Sequence, residues 1–519
     1  MSARYMGRAA GGVSGVQGIM QGYPIKTSEF GRVLVSDDLI KYQITEIMAS
    51  PIAAISATPL LISTSASLLL ASRTEHVTRI PKSSQASTMF SPESFYRPHI
   101  LVVGGSYGGL SVVANLLNLM KGGAQMSSPE LPPELENVPK AQPRITILDE
   151  RDGIYHTMGS PLVMSSSSFA REAWRCFKDI PQFEEDVRVV QGKALSIDVA
   201  SRVAKYHKHD EDATQEMPYD FLVVATGTQR RWPVVPEALH KTEYLQNIDS
   251  HIQRVRDAKQ VVVVGGGAVG VEFAAEIKTM FPKTNVTLIQ SRPTVLAAEP
   301  LPAAFKQKAA ERLEELGIEV RLGCRVVTQT KTSIEGHNTN VLALSNGDSI
   351  VADEVVCTNL PHNASTGFLP KEILDEHGYI SVQSTLQFPS SIVNAELHYA
   401  VGDAVSWSGI KRVGNAFIMG QFVATNLLMQ IHGGAWALPF RRPGDAVDKN
   451  PAVPTKLVDC PPMKPMMALS LGKVALVYRG DDSGEWTEED QEAVVGRGLG
   501  IEPLELLVEQ NKAHFWATA

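Results

Sequence analysis

The chain has 519 residues, enough for two or three domains around a large buried core. Its formal net charge of −8 argues against nucleic acid as the main partner. The four cysteines, Cys176, Cys324, Cys357 and Cys460, show neither CxxC nor CxxxxC spacing, so nothing points to a metal site, a disulfide framework or a dithiol redox centre.

Residues 1–95 read as an N-terminal extension unlike the rest. The first thirty are glycine-rich and carry Arg4, Arg8 and Lys26 against one acid, Glu29, a balance found in some organelle-targeting segments. Ile47 to Ser72 holds no charge and is long enough to graze or span a bilayer, although Pro51, Pro59 and many Ser/Thr residues weaken a helix there. Three readings stand: targeting or membrane contact, disorder, or a translation start at Met48 or Met89. The first places the protein in the mitochondrion or at a membrane, and the others leave it cytoplasmic.

From His99 an apolar run leads into Gly104-Gly105-Ser106-Tyr107-Gly108-Gly109, and Leu110 to Leu117 suits a helix packed on a sheet. Glycine makes the turn tight and lets the backbone approach a pyrophosphate, whose charge meets the helix N-terminus. Ser106 replaces the middle glycine and narrows that approach without closing it. After a Pro/Gly/Ser-rich insertion at 122–143, the strand Arg144 to Asp149 ends in carboxylates suited to a ribose hydroxyl pair. Asp149, which closes the apolar run, is the expected partner over Glu150, with the register between them left open. Val187 to Lys205 reads as a β-meander. Tyr219 to Thr228 is an apolar strand ending in Ala225-Thr226-Gly227, small residues that let backbone come close to a cofactor.

Pro233 and Pro236 mark a crossing to a second unit. There Gln260 to Gly265 opens Gly265-Gly266-Gly267-Ala268-Val269-Gly270, which keeps all three expected glycines, Gly265, Gly267 and Gly270. The strand Asn285 to Gln290 ends in Gln290-Ser291-Arg292 where a carboxylate selecting NAD is expected. With no acid to repel a 2′-phosphate and an arginine nearby, NADPH is expected to be accepted beside NADH or preferred to it. Arg292 is either the phosphate partner or a solvated loop charge. Further on, His398 to Ala404 forms a strand with Gly402-Asp403, followed by a helix from Val413 to Ile431. Beyond Pro439 lies a Pro-rich linker and then Met463 to Gly472, apolar and methionine-rich, which suits core packing or a surface facing substrate or membrane.

Two fingerprints joined to an Ala-Thr-Gly strand and a Gly-Asp strand resemble the two-dinucleotide-binding flavoproteins, over about Arg97 to Gly433. Gly270 to Thr279, Gly-Val-Glu-Phe-Ala-Ala-Glu-Ile-Lys-Thr, is most similar to the apoptosis-inducing-factor-like branch, mitochondrion-associated and ferroptosis-suppressor proteins included. Type II NAD(P)H:quinone dehydrogenases are the next relatives. The resemblance implies an α/β fold with two Rossmann-like domains: an FAD domain at 96–241 and 358–437, interrupted by an NAD(P)H domain at 242–357, and a small C-terminal region at 438–519.

By position, the resemblance implies that Gly104, Gly105, Ser106, Tyr107, Gly108 and Gly109 surround the FAD pyrophosphate. Asp149 would hold the adenosine ribose, Ala194 would offer its backbone to the adenine, and Thr226 and Gly227 would lie beside the cofactor. Gly402 and Asp403 would meet the ribityl chain, and the following helix start would hold the negative charge of reduced flavin through its dipole. Gly265, Gly267 and Gly270 would face the NAD(P)H pyrophosphate. Glu272 would lie near the nicotinamide or serve only as ordinary helix polarity. One departure matters: where close relatives can place an arginine near the flavin, this chain has Gly159-Ser160-Pro161-Leu162, so Lys464 or a helix dipole is expected to supply the positive charge.

The implied function is an FAD-dependent oxidoreductase that moves hydride from NAD(P)H to FAD and on to a quinone-like or other small acceptor. Two alternatives stand beside it: an enzyme dedicated to one biosynthetic metabolite, and a redox-sensing flavoprotein in a cell-death response. Without a dithiol, disulfide reduction is disfavoured. The FxGxxxH signature of Baeyer–Villiger monooxygenases is missing after Phe221. Oligomeric state is not specified by the sequence.

Overall fold

The computed structural model describes residues 97–121, 142–180, 183–209, 211, 213–334, 337–359, 363–433, 456–480 and 482–490. The extension 1–95, with its uncharged run from Ile47 to Ser72, lies outside the described residues. The chain divides into two units, Met1–Met89 and Phe90–Ala519, and every described residue belongs to the second. Among the described residues no helix is long and apolar enough to cross a membrane.

The apolar runs become strands buried on both faces, which explains why they read as continuous rather than alternating. His99–Val103 and Phe221–Val224 are buried at every position. They lie side by side in a seven-stranded sheet ordered His398–Ala400, Phe221–Val224, His99–Val103, Arg144–Asp149, Val187–Asp198, Val203–Lys208, Thr214–Pro218. The first five run parallel, and the last three form the antiparallel meander. The edge strand His398–Ala400 comes from beyond the second fingerprint, so the sheet is assembled from chain on either side of it.

Parallel register aligns the strand ends. Val103 pairs with Leu148 on one side and Val224 on the other, and Ala400 pairs with Val224. Gly104, Ala225 and Val401 therefore leave the sheet together beside Asp149, the last residue of its strand, along the carboxyl edge where ligands of open α/β sheets bind.

The fingerprint helix Tyr107–Met120 packs against Val413–Gly433, with Leu110, Val113 and Leu117 in one apolar core with Phe417, Leu427 and Leu428. A Cβ on Gly420 would sit 2.5 Å from Ser111 Cβ, so this glycine lets the two helices touch. The Ser111 hydroxyl closes the crossing by donating to the Phe417 carbonyl at 2.8 Å.

The second fingerprint opens a four-stranded parallel sheet ordered Glu319–Arg321, Asn285–Ile289, Gln260–Val264, Glu354–Cys357. An antiparallel sheet of Val326–Ile334, His337–Leu344 and Ser349–Ala352 covers one of its faces through Leu342, Leu344 and Ile350. The methionine-rich stretch supplies Met467–Leu471, first strand of a three-stranded sheet with Val474–Tyr478 and Ser483–Trp486. Leu469, Leu471 and Leu476 enter the core around helix Ala268–Met280, each contributing about 1.5–3 kcal/mol of burial. Arg312 holds both oxygens of Glu485, at 2.8 and 2.7 Å, and fixes this sheet to helix Ala303–Glu315.

Candidate active site

A cavity of ≈ 840 Å³ lies along the carboxyl edge of the seven-stranded sheet. Gly104, Ser106, Tyr107 and Gly108 form its floor. Gly104 has φ +103°, and a Cβ there would lie 2.5 Å from the Ala225 carbonyl oxygen. Gly109 lies behind the floor, where a Cβ would meet the Gly104 carbonyl oxygen at 1.9 Å, so it is what lets the helix start so close to the strand. Ser106 is the N-cap residue of that helix, yet its hydroxyl caps no backbone N–H. The first-turn donors are left for an anion.

Gly105 does not line the cavity. Its N–H donates to Asp149 Oδ2 at 2.7 Å, while the Arg151 N–H donates to Oδ1 at 2.8 Å. Burial pushes the Asp149 carboxyl up, and these two N–H groups pull it down. Asp149 thus ties the second strand's end to the glycine loop. Both Asp149 and Glu150 line the cavity, and Glu150 is the exposed one, with its carboxylate 3.7 Å from Lys193 Nζ.

Ala194, Thr226, Gly227, Gly402 and Asp403 also line the cavity. Ala194 sits at a register shift of the meander. The Thr226 hydroxyl donates to the Ser365 carbonyl at 2.7 Å, and Gly227 (φ +62°) has open space where a side chain would go. Asp403 Oδ2 faces Arg230 at 3.6 Å.

The second fingerprint is built in the same way. Gly265 has φ +114°, and a Cβ on Gly270 would be 1.8 Å from the Gly265 carbonyl oxygen. Gly267, the N-cap of helix Ala268–Met280, has nothing within 4 Å of where a Cβ would sit. These three glycines lie off the cavity wall, but Ala268, Val269 and Glu272 from the helix they open are on it. Arg292 is exposed in the loop after strand Asn285–Ile289, away from the cavity.

Glu272 accepts a hydrogen bond from the Ser470 N–H at 3.1 Å, and burial, with Glu276 nearby, pushes its carboxyl up to about 7. Tyr107 OH accepts from the Met158 N–H at 3.1 Å and lies 3.1 Å from His156 Nδ1. Burial raises the phenol well above its ordinary range and keeps it neutral.

Four buried polar atoms on the cavity wall have no hydrogen-bond partner among the described residues: Arg151 Nε, Tyr155 OH, Thr228 Oγ1 and Arg412 Nε. Buried polar groups are nearly always paired, so this wall is shaped for a polar ligand. Arg412 was not foreseen. It precedes helix Val413–Gly433, its Nη2 is 3.6 Å from Met466 Sδ, and burial lowers its pKa. Lys464, the expected cation, packs instead at Gly480 and does not line the cavity. Lys411 does line it, with Nζ donating to the Val405 carbonyl at 2.6 Å.

Comparison with known proteins places these features. The pyridine nucleotide-disulphide oxidoreductase profile matches residues 98–420. The chain belongs to this family. Oxidoreductase OXR1 of Ajellomyces capsulatus is 37% identical over 407 residues, covering 76% of this chain and 85% of that protein. Ferroptosis suppressor protein 1 of Xenopus tropicalis is 25% identical over 339 residues, covering 64% of this chain and 81% of its own length. Among solved structures, the water-forming NADH oxidase from Lactobacillus brevis shares the fold with TM-score 0.52 at 16% identity, covering 73% of this chain and 74% of that one. NDH2 from Plasmodium falciparum, in complex with NADH, does so with TM-score 0.52 at 11% identity, covering 82% and 97%.

The protein is therefore an FAD-dependent NAD(P)H oxidoreductase with the α/β architecture of this family. The site fits FAD: a glycine cradle that a Cβ would fill, a free helix N-terminus and four orphaned polar atoms converge on one cavity. The four cysteines are free, and none lines the cavity.

Proposed function

We propose that this flavoprotein oxidises NAD(P)H and delivers the electrons to a quinone-like small acceptor. One observation carries the reading: the floor of the first fingerprint, the first turns of the second fingerprint's helix and Met466-Met467 of the C-terminal sheet wall a single cavity. Bound FAD supplies hydride acceptance from nicotinamide and release of the electron pair to a second molecule. The chain's own task is positioning.

In this reading Gly104, Ser106 and Gly108 receive the FAD pyrophosphate, and Asp149 with Glu150 receives the adenosine ribose. Asp403, steadied by Arg230, holds the ribityl chain. Gly265, Gly267 and Gly270 receive the NAD(P)H pyrophosphate, and Glu272 stands at the meeting point of the two fingerprints. The methionines offer polarizable, adaptable surface to a flat apolar acceptor. Steady-state NAD(P)H oxidation with a series of benzoquinones and naphthoquinones tests the proposal. Rates well above those with oxygen alone support it, and oxidation no faster with any quinone overturns it.

Arg412 supplies the positive charge that the sequence assigns to Lys464 or a helix dipole. A cation there favours the reduced, anionic flavin, so Arg412→Met is expected to lower the two-electron reduction potential by about 30 mV, a tenfold change in equilibrium. Dye-equilibration potentiometry checks this, with Arg412→Lys as the charge-preserving control. An unchanged potential in Arg412→Met would show that the guanidinium does not face the flavin.

Coenzyme choice rests on Arg292, which has open surroundings at the end of the strand Asn285–Ile289. A charge-assisted hydrogen bond is worth about 1.5–3 kcal/mol, tenfold or more in affinity. Arg292→Ala is expected to weaken NADPH by that factor and leave NADH nearly unchanged in reductive titrations. Equal losses for both would make Arg292 a solvated loop charge.

A further inference from the structure

Glu272 is not alone on its helix. Glu276 follows one turn later, on the same face, and is 9% exposed. Two buried carboxylates this close disfavour each other's ionisation. Their surroundings differ in a useful way. Glu272 reaches the cavity and accepts the Ser470 N–H, which favours its charged form.

Glu276 points inward to Ser165, whose hydroxyl is 3.3 Å from Glu276 Oε1 and 3.0 Å from the Leu162 carbonyl. A hydroxyl has one hydrogen and two lone pairs. When Glu276 is ionised, Ser165 donates to it; when Glu276 is protonated, it donates to Ser165, which turns its own hydrogen to Leu162. Ser165 satisfies either state.

Among the described residues, no other charge is seen to act on Glu272. Strand Met467–Leu471 presents the Ser470 N–H, and Lys278 on the same helix donates to the Pro282 and Thr284 carbonyls. On helix Ala303–Glu315, Lys308 and Arg312 are held by Glu485.

We infer that Glu276, backed by Ser165, shares one proton with Glu272, so that the cavity wall keeps a proton to give when the acceptor is reduced. The inference rests on the quinone reading for its use, and the balance is complete. Reduction of a quinone to a hydroquinone takes two electrons and two protons. The hydride from NAD(P)H carries both electrons and one proton; the carboxyl pair gives the other and is left doubly charged until solvent returns it. Glu272 is the donor at the cavity, and Glu276 is a positioning residue.

Infrared titration of the carboxyl C=O stretch in the FAD-loaded protein tests the pairing without any acceptor. The wild type is expected to lose a protonated-carboxyl band near neutral pH, and Glu272→Gln to lack that transition. Glu276→Gln removes the neighbouring charge, so its midpoint is expected to fall by about one pH unit, tenfold in proton affinity. Ser165→Ala removes a partner from both states, but the hydrogen bond to the ionised carboxylate is the stronger, so its midpoint is expected to rise. These opposite signs separate a shared proton from general damage, and Ser165→Ala keeps the test open if Glu276→Gln fails to fold. A midpoint unmoved in Glu276→Gln, or in Ser165→Ala where only that variant folds, would overturn the inference. If no quinone is reduced by the wild type, the functional reading falls while the titration still decides the pairing.

Discussion

Gly104→Leu is expected to yield protein without flavin. The residue has φ +103°, and its Cβ would lie 2.5 Å from a backbone oxygen that belongs to the neighbouring strand's end. A left-handed side chain costs about 1–2 kcal/mol and overpacking about 1–3 kcal/mol more. That sum is a large share of the roughly 5–15 kcal/mol that holds a domain folded. The strand end it strikes, Ala225-Thr226, lines the same cavity, so relieving the clash also displaces the wall where the cofactor lies. The absorbance ratio of flavin to protein in the purified variant is the measurement, with Ser106→Gly as a companion that widens the approach and keeps FAD. Stoichiometric flavin in Gly104→Leu would show that the first fingerprint is not the FAD cradle.

Gly267→Val separates the second nucleotide from the first. Unlike Gly270, whose Cβ would strike the Gly265 carbonyl oxygen at 1.8 Å, Gly267 has ordinary φ (−75°) and open space around it. The fold therefore tolerates the valine, and only a ligand meets it. Flavin content and thermal stability are expected to stay near wild type, while kcat/KM for NAD(P)H falls by at least about 100-fold, roughly 2.7 kcal/mol. A variant that kept its rate would place the dinucleotide elsewhere.

What the sequence revealed, it revealed through short range. Each fingerprint spans six positions, and its last glycine is required by a contact within that span, Gly109 against the Gly104 carbonyl and Gly270 against that of Gly265. Such constraints leave a local signature. The stretch from Met463 to Gly472 was legible only as two alternatives; in the structure Leu469 and Leu471 alternate into the core, while Met466 and Met467 line the cavity. Arg412 was missed because a cation before an apolar helix has no signature of its own. It meets the cavity only because that helix packs on Tyr107–Met120. The carboxyl pair was equally hidden, since Ser470 lies 198 residues from Glu272 and Ser165 lies 111 from Glu276. Only the folded chain brings these together.

The most direct test of the central claim is an anaerobic stopped-flow titration of the FAD-loaded protein with NADPH and NADH, followed by addition of a quinone. The flavin absorbance is expected to bleach with one equivalent of reduced nicotinamide and to return with one equivalent of quinone. A flavin that stays oxidised in excess NADPH and NADH, or that bleaches and is restored by oxygen but by no quinone, would contradict the account.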